Sequence, residues 1–205
     1  MASWQELDAE VANQLAQASP DECFVFAVGV AERLMRAEEA LPADERTGYA
    51  LGLRPLLDAL WEAALGDTTA FGDIKRGLGA YLLSEYCHND GQDGPGDADE
   101  AAAAAVLCTA AAHLFGNSGL ASVVSGRAVE AVDERLNRHD SHADDPDRVL
   151  AAELRRQLRD LDLISRHSAS LRHAGLGLDI ETSARLRQAL RVPLSSVEAG
   201  EDRPH

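Results

Sequence analysis

Aromatic residues are scarce in this chain, 4% of its 205 residues, and no segment is dominated by Val, Ile and Thr. The side chains that suit a pleated, half-buried strand are therefore few, and a β fold is disfavoured. The cysteines, Cys23, Cys87 and Cys108, are three in number, widely spaced and without a CxxC pair. That pattern excludes a disulfide framework or a zinc knuckle and reads as buried free thiols. Lysine occurs once, at Lys75, against eighteen arginines, a codon-level bias to which no function attaches. No stretch approaches the roughly 18 uninterrupted apolar residues of a membrane span, and Met1 to Glu6 lacks the basic start and apolar run of a signal peptide. The expected location is the cytoplasm, off the membrane. Gly-x-Ser-x-Gly, P-loop and dinucleotide fingerprints are all missing, and no cysteine has a histidine at a recognisable family spacing, so nucleophilic catalysis has no support.

What is present is alanine, leucine and acid, a mixture that favours helix. The net charge is −16, and it is uneven. Residues 1–147 hold 27 acids against 9 bases, a balance of −18, whereas residues 148–205 hold 8 acids against 10 bases. An acidic body repels phosphate backbones and attracts cationic partners, so nucleic-acid binding is not expected of it.

Apolar periodicity places helices along most of the chain. The first runs from Ser3 to about Gln17 on Trp4, Leu7, Val11 and Leu15. Ser19, Pro20 and Glu22 form a capping box with proline at the first helical position, opening a second helix with Phe24, Ala27, Val28, Ala31 and Met35 on one face. A third spans about 44–64, with Leu53, Leu56, Leu57, Leu60 and Trp61 inward and Glu62 near the surface; Pro55 requires either a kink or a later start. A fourth, about 69–86, carries Gly72, Gly77 and Gly79, each costing about 1 kcal/mol against alanine unless close packing requires it. After a Gly-rich acidic loop, Asp97 is the expected N-cap of an Ala-rich helix over 98–115, paired as an antiparallel hairpin with a helix over 119–137. A polar linker leads to a long helix from Asp145 to about His173. One more helix is expected over 181–190, with the chain fraying from Val192 onward.

Four segments together resemble the bacterial "domain of unknown function 416" family. They are FVFAVGVAERLM from Phe24, LRPLLDALWEAALGD from Leu53, the Ala-rich helix with SVVSGRAVEAVDERL ending at Leu136, and Glu153 with Gln157 in the long helix. The resemblance covers roughly residues 15–165 and implies a compact all-helical fold. It carries over no catalytic residue.

Several constellations merit chemical weighing. Glu85 and His88 have the E-x-x-H spacing of di-iron bundles, but such sites need a second pair and two further carboxylates; a solvated helix end is the plainer reading. His139-Asp140, with His113 upstream, superficially matches the HD phosphohydrolases yet sits in a polar linker, and His113 reads as a hydrogen-bonded core or boundary residue. Asn89 to Glu100 partly imitates a calcium loop, failing at Gly91 where an oxygen donor is required. Arg155, Arg156, Arg159, Arg166 and Arg172 populate the long C-terminal helix, where pairing with the acidic body is expected over a nucleic-acid surface.

The sequence therefore specifies an all-α protein, an antiparallel bundle of about seven to eight helices over residues 1–175, with a partly helical C-terminal extension over 176–205. The expected role is non-catalytic binding without cofactor or metal. The partner would be a basic protein met by Asp93, Asp97, Asp99 and Glu100, in the manner of an immunity protein or antitoxin. Two alternatives stay open: a metal-dependent enzyme or metal-binding protein using Glu85 and His88, and a homo-oligomeric helical scaffold.

Overall fold

A computed structural model describes residues 2–46, 48–87, 100–138 and 145–196. Of the described residues 78% are helical and none lies in a strand, in agreement with the all-α expectation. No helix is long and apolar enough to cross a membrane among them.

The chain opens with α1 (Trp4–Gln17) and α2 (Pro20–Glu39), each closed at its start by a full capping box, Ser3 with Glu6 and Ser19 with Glu22. These local bonds satisfy backbone donors that the first turn leaves free. α2 is the centre of the molecule. Its residues from Val25 to Arg33 are buried without interruption, and it packs against α3, α5, α6, α7 and the C-terminal turns.

α3 (Arg54–Ala64) begins later than 44, the later start that Pro55 allowed. The preceding segment forms turns in which Gly52 adopts φ +79°, a conformation that ends any helix approaching from Asp44. α4 (Ala70–Leu82) is shorter than expected and passes through a turn into a 3-10 turn at Glu85–Cys87. Among its glycines only Gly77 answers to close packing, since an added Cβ would lie 3.3 Å from the Leu56 backbone, whereas Gly72 and Gly79 face open space.

α5 (Ala101–Phe115) and α6 (Leu120–Arg138) form the expected hairpin. Gly116, at φ +63°, caps α5, and the N–H groups of Gly116 and Asn117 both return to the Ala112 carbonyl. Asp97, the anticipated cap of α5, lies outside the described residues.

α7 (Pro146–Ser165) is capped by Asp145 but stops short of His173, after which the chain makes the single turn α8 (Ser168–Leu171) and a 3-10 turn at Ala174–Leu176. α9 (Ile180–Leu186) continues through a π-helical turn, Arg187–Arg191, into α10 (Val192–Leu194). Residues 192–194 are therefore helical, where fraying was expected. Leu186, Leu190 and Leu194 recur every fourth residue and belong to the core, with Leu194 seated over Gly29 of α2. Trp61 is fully buried, as its phase requires, and the Glu62 side chain is 34% exposed.

Candidate functional site

Within the apolar body of α2 two charged residues stand side by side, Glu32 and Arg33. Successive helical residues point about 100° apart, so the two reach different neighbours. Glu32 turns to α3. Its carboxylate is 1% exposed and accepts hydrogen bonds from Arg36 Nε at 2.6 Å, Arg54 Nη1 at 2.8 Å and Trp61 Nε1 at 3.2 Å. Arg54 also holds Glu39, at 2.6 and 2.9 Å. Burial pushes the Glu32 carboxyl up, but the bonds and charges of Arg36 and Arg54 together outweigh it and hold the group below the ordinary glutamate range. Glu32 is thus a fixed anion, unsuited to donating a proton at neutral pH.

Arg33 turns the other way. Its Nη1 donates to Asp160 at 2.5 Å and to the Leu194 carbonyl at 3.4 Å, which ties α2 to α7 and to the last helical turn. Beyond it, Glu153 accepts from Gln157 at 3.0 Å, and Gln157 accepts from the Ser125 hydroxyl at 2.6 Å while donating to the Ser125 carbonyl at 3.3 Å. Burial drives the Asp160 carboxyl up against the pull of Arg33 and Arg156. Four segments far apart in the sequence contribute here. The first supplies Glu32 and Arg33, the second Arg54 and Trp61, the third Ser125, and α7 supplies Glu153 and Gln157.

A separate recess lies where α2 begins, between the ends of α3 and α5. It encloses about 180 Å³, lined among others by Asp21, Phe24, Ala63, Ala112, His113 and Ala174. That exceeds an engineered cavity of about 150 Å³ that admits benzene. His113 makes no hydrogen bond among the described residues. Contrary to expectation, ring contacts hold it: it stacks on Phe24 with centroids 4.5 Å apart and meets Phe71 at 5.9 Å. Burial lowers the His113 pKa against the opposing charge of Asp21, and burial with Glu22 raises that of Asp21. Cys23 also lines the recess, but burial raises its thiol and the Sγ donates to the Leu15 carbonyl at 3.5 Å. The recess thus presents a neutral imidazole, a carboxyl group and a protonated thiol, with no activated nucleophile among the described lining residues.

Most of the anticipated residues lie beyond what the structure describes. Glu85 sits in its 3-10 turn, while His88, Asp93, Asp97, Asp99, His139 and Asp140 lie outside the described residues. Glu100 is half-buried just ahead of α5. Among the described residues no three His, Cys, Asp or Glu side chains form a metal-binding group. Of the C-terminal arginines, Arg187 and Arg191 bind Glu62 and Asp58 of α3 at 2.5 and 2.7 Å; among those anticipated, Arg172 acts through its charge on Glu22 of α2, and Arg166 bonds Asp162 on its own helix. The Glu32–Arg33 pair escaped the sequence reading although its signal was visible, as two adjacent charges inside an apolar helix. No family model, no curated protein and no solved structure matches the chain.

Proposed function

We propose that this protein acts by binding a basic protein on its acidic outer surface, without a reaction of its own. The observation that carries the reading is where the arginines go. Arg33, Arg36, Arg54, Arg187 and Arg191 are all engaged with carboxylates of the fold, namely Glu32, Glu39, Asp58, Glu62, Glu153 and Asp160. Some outward-facing acids are paired as well, Asp73 with Arg76, Glu130 with Arg127 and Asp162 with Arg166. α1 exposes Glu6, Asp8 and Glu10 and contains no lysine or arginine. Such a surface speeds encounter with a cationic partner, and an inhibitor of the immunity or antitoxin kind is the sharpest form of the reading.

The test is capture from the source cell followed by kinetics on the recovered protein. A basic partner is expected, with an association rate that falls about tenfold or more between low and high salt. The double substitution Asp8→Lys, Glu10→Lys should slow association more than it alters dissociation. An acidic or apolar partner, or association indifferent to salt, would sink the reading.

A further inference from the structure

The second guanidinium nitrogen of Arg33 is a buried donor without a hydrogen-bond partner among the described residues. The side chain is only 7% exposed, and from Nη2 the Glu153 Oε1 atom stands 3.6 Å away. A buried guanidinium N–H left unsatisfied costs on the order of 1–3 kcal/mol or more, so its persistence asks for an explanation. A small pocket bounded by α2, α6 and α7 supplies one. The pocket holds about 60 Å³, several times the roughly 10–15 Å³ that one water requires.

Its chemistry is two-sided. Arg33, Arg135 and Arg156 line it together with one acid, Glu153, and with the apolar Val30, Leu34, Ala37 and Ala128; Arg135 Nε also donates to the Ala131 carbonyl at 3.1 Å. Asp160 already answers Nη1 of Arg33 from outside this lining. Burial, and next the charge of Arg33, disfavour the charged form of Arg156, while Glu153 and Asp160 favour it.

We propose that this pocket is a binding site for a short-chain monocarboxylate, of acetate to propionate size, whose oxygens accept from Arg33 Nη2 with the help of Arg156 and Arg135 and whose alkyl end rests on Val30, Leu34 and Ala128. A planar carboxylate matches the guanidinium fork. A single negative charge fits beside Glu153, whereas a phosphate dianion would be repelled by that carboxylate at close range. The apolar wall contributes nothing to an inorganic ion and rewards a methyl or ethyl group.

The test uses the full chain with sodium acetate, propionate, phosphate and chloride at matched ionic strength. Ligand binding to the folded state raises the melting temperature with concentration. Acetate and propionate are expected to raise it by a few degrees over chloride, and to shift the methyl resonances of Val30 and Leu34. Arg156→Gln and Arg135→Gln should each weaken the response about tenfold. Ala128→Leu, which fills the pocket without touching a charge, should abolish it, and this variant needs no change to Arg33, whose loss would strand Asp160. Equal effects of chloride and acetate would mean that water alone occupies the pocket. That result, a stronger response to phosphate, or an undiminished response in Ala128→Leu would overturn the proposal.

Discussion

The indole N–H of Trp61 donates to the carboxylate of Glu32 at 3.2 Å, and both side chains are at most 1% exposed. One bond therefore fixes the rotation of α3 against α2. Trp61 also lies beneath Arg191, whose guanidinium carbon is 5.6 Å from the ring centroid, so the C-terminal helix is held to the same pair. Trp61→Ala should cost roughly 3–5 kcal/mol, through lost burial, a cavity and an unmade bond. Trp61→Phe keeps much of the packing and loses the donor, and should cost clearly less. Denaturant melts of both variants check the ordering; an unchanged midpoint for Trp61→Ala would show that the helix faces elsewhere.

Removal of the acceptor should cost less. Glu32→Ala leaves the buried indole N–H without its acceptor, about 1–3 kcal/mol, whereas Arg36 and Arg54 reach solvent and Arg54 keeps Glu39. The folded-state pKa of Glu32 is depressed, so its contribution is full above the ordinary glutamate value and is lost as pH falls through the folded value. Wild type should lose stability on acidification below about pH 4, and Glu32→Gln, being untitratable there, should lose less over that range. Equal pH slopes for the two proteins would show that Glu32 does not stay ionised in the fold.

Much of the fold was legible because its signals are local. Ser19, Pro20 and Glu22 announce the start of α2 within four residues, and the phase of Leu53, Leu57, Leu60 and Trp61 puts Trp61 in the core. Where the outcome depended on neighbours, the sequence misled. Residues 48–52 are turns, with Gly52 reversing its φ just ahead of α3, and Val192–Leu194 stay helical where Leu194 finds a place over Gly29. The site was hardest to see. Glu32 and Arg33 stand out as two charges inside an apolar helix, but their partners do not, and only the arrival of Arg54 from 22 residues away and Asp160 from 127 away makes them a buried network.

Two glycines separate conformational need from tolerance. Gly66 sits just past α3 at φ +91°, with Asp67 N–H returning to the Glu62 carbonyl at 2.9 Å. A Cβ there would come within 2.5 Å of Leu178 Cγ. Gly66→Ala should therefore cost on the order of 1–3 kcal/mol from backbone strain, with displacement of Leu178 added. Gly72 in α4 has nothing within 4 Å of its added Cβ, so Gly72→Ala should stabilise by about 0.5–1 kcal/mol. Paired thermal melts with opposite signs are the expected result; the same sign for both would contradict this account.

His113 gives the fold a second dependence on pH. Burial holds its folded-state pKa below the ordinary histidine value, the charge of Asp21 opposing that fall. The unfolded chain therefore takes up the proton first. Stability should be steady above about pH 6.5 and begin to decline below it, because charging the imidazole means charging a group stacked on Phe24 in an apolar recess. His113→Leu removes the titration and should flatten this part of the profile while filling a similar volume. Asp21→Asn removes the anion that eases protonation, so the His113 resonance followed by NMR should titrate at a still lower pH than in wild type. An unchanged or raised value would mean that the Asp21 charge does not act on the ring.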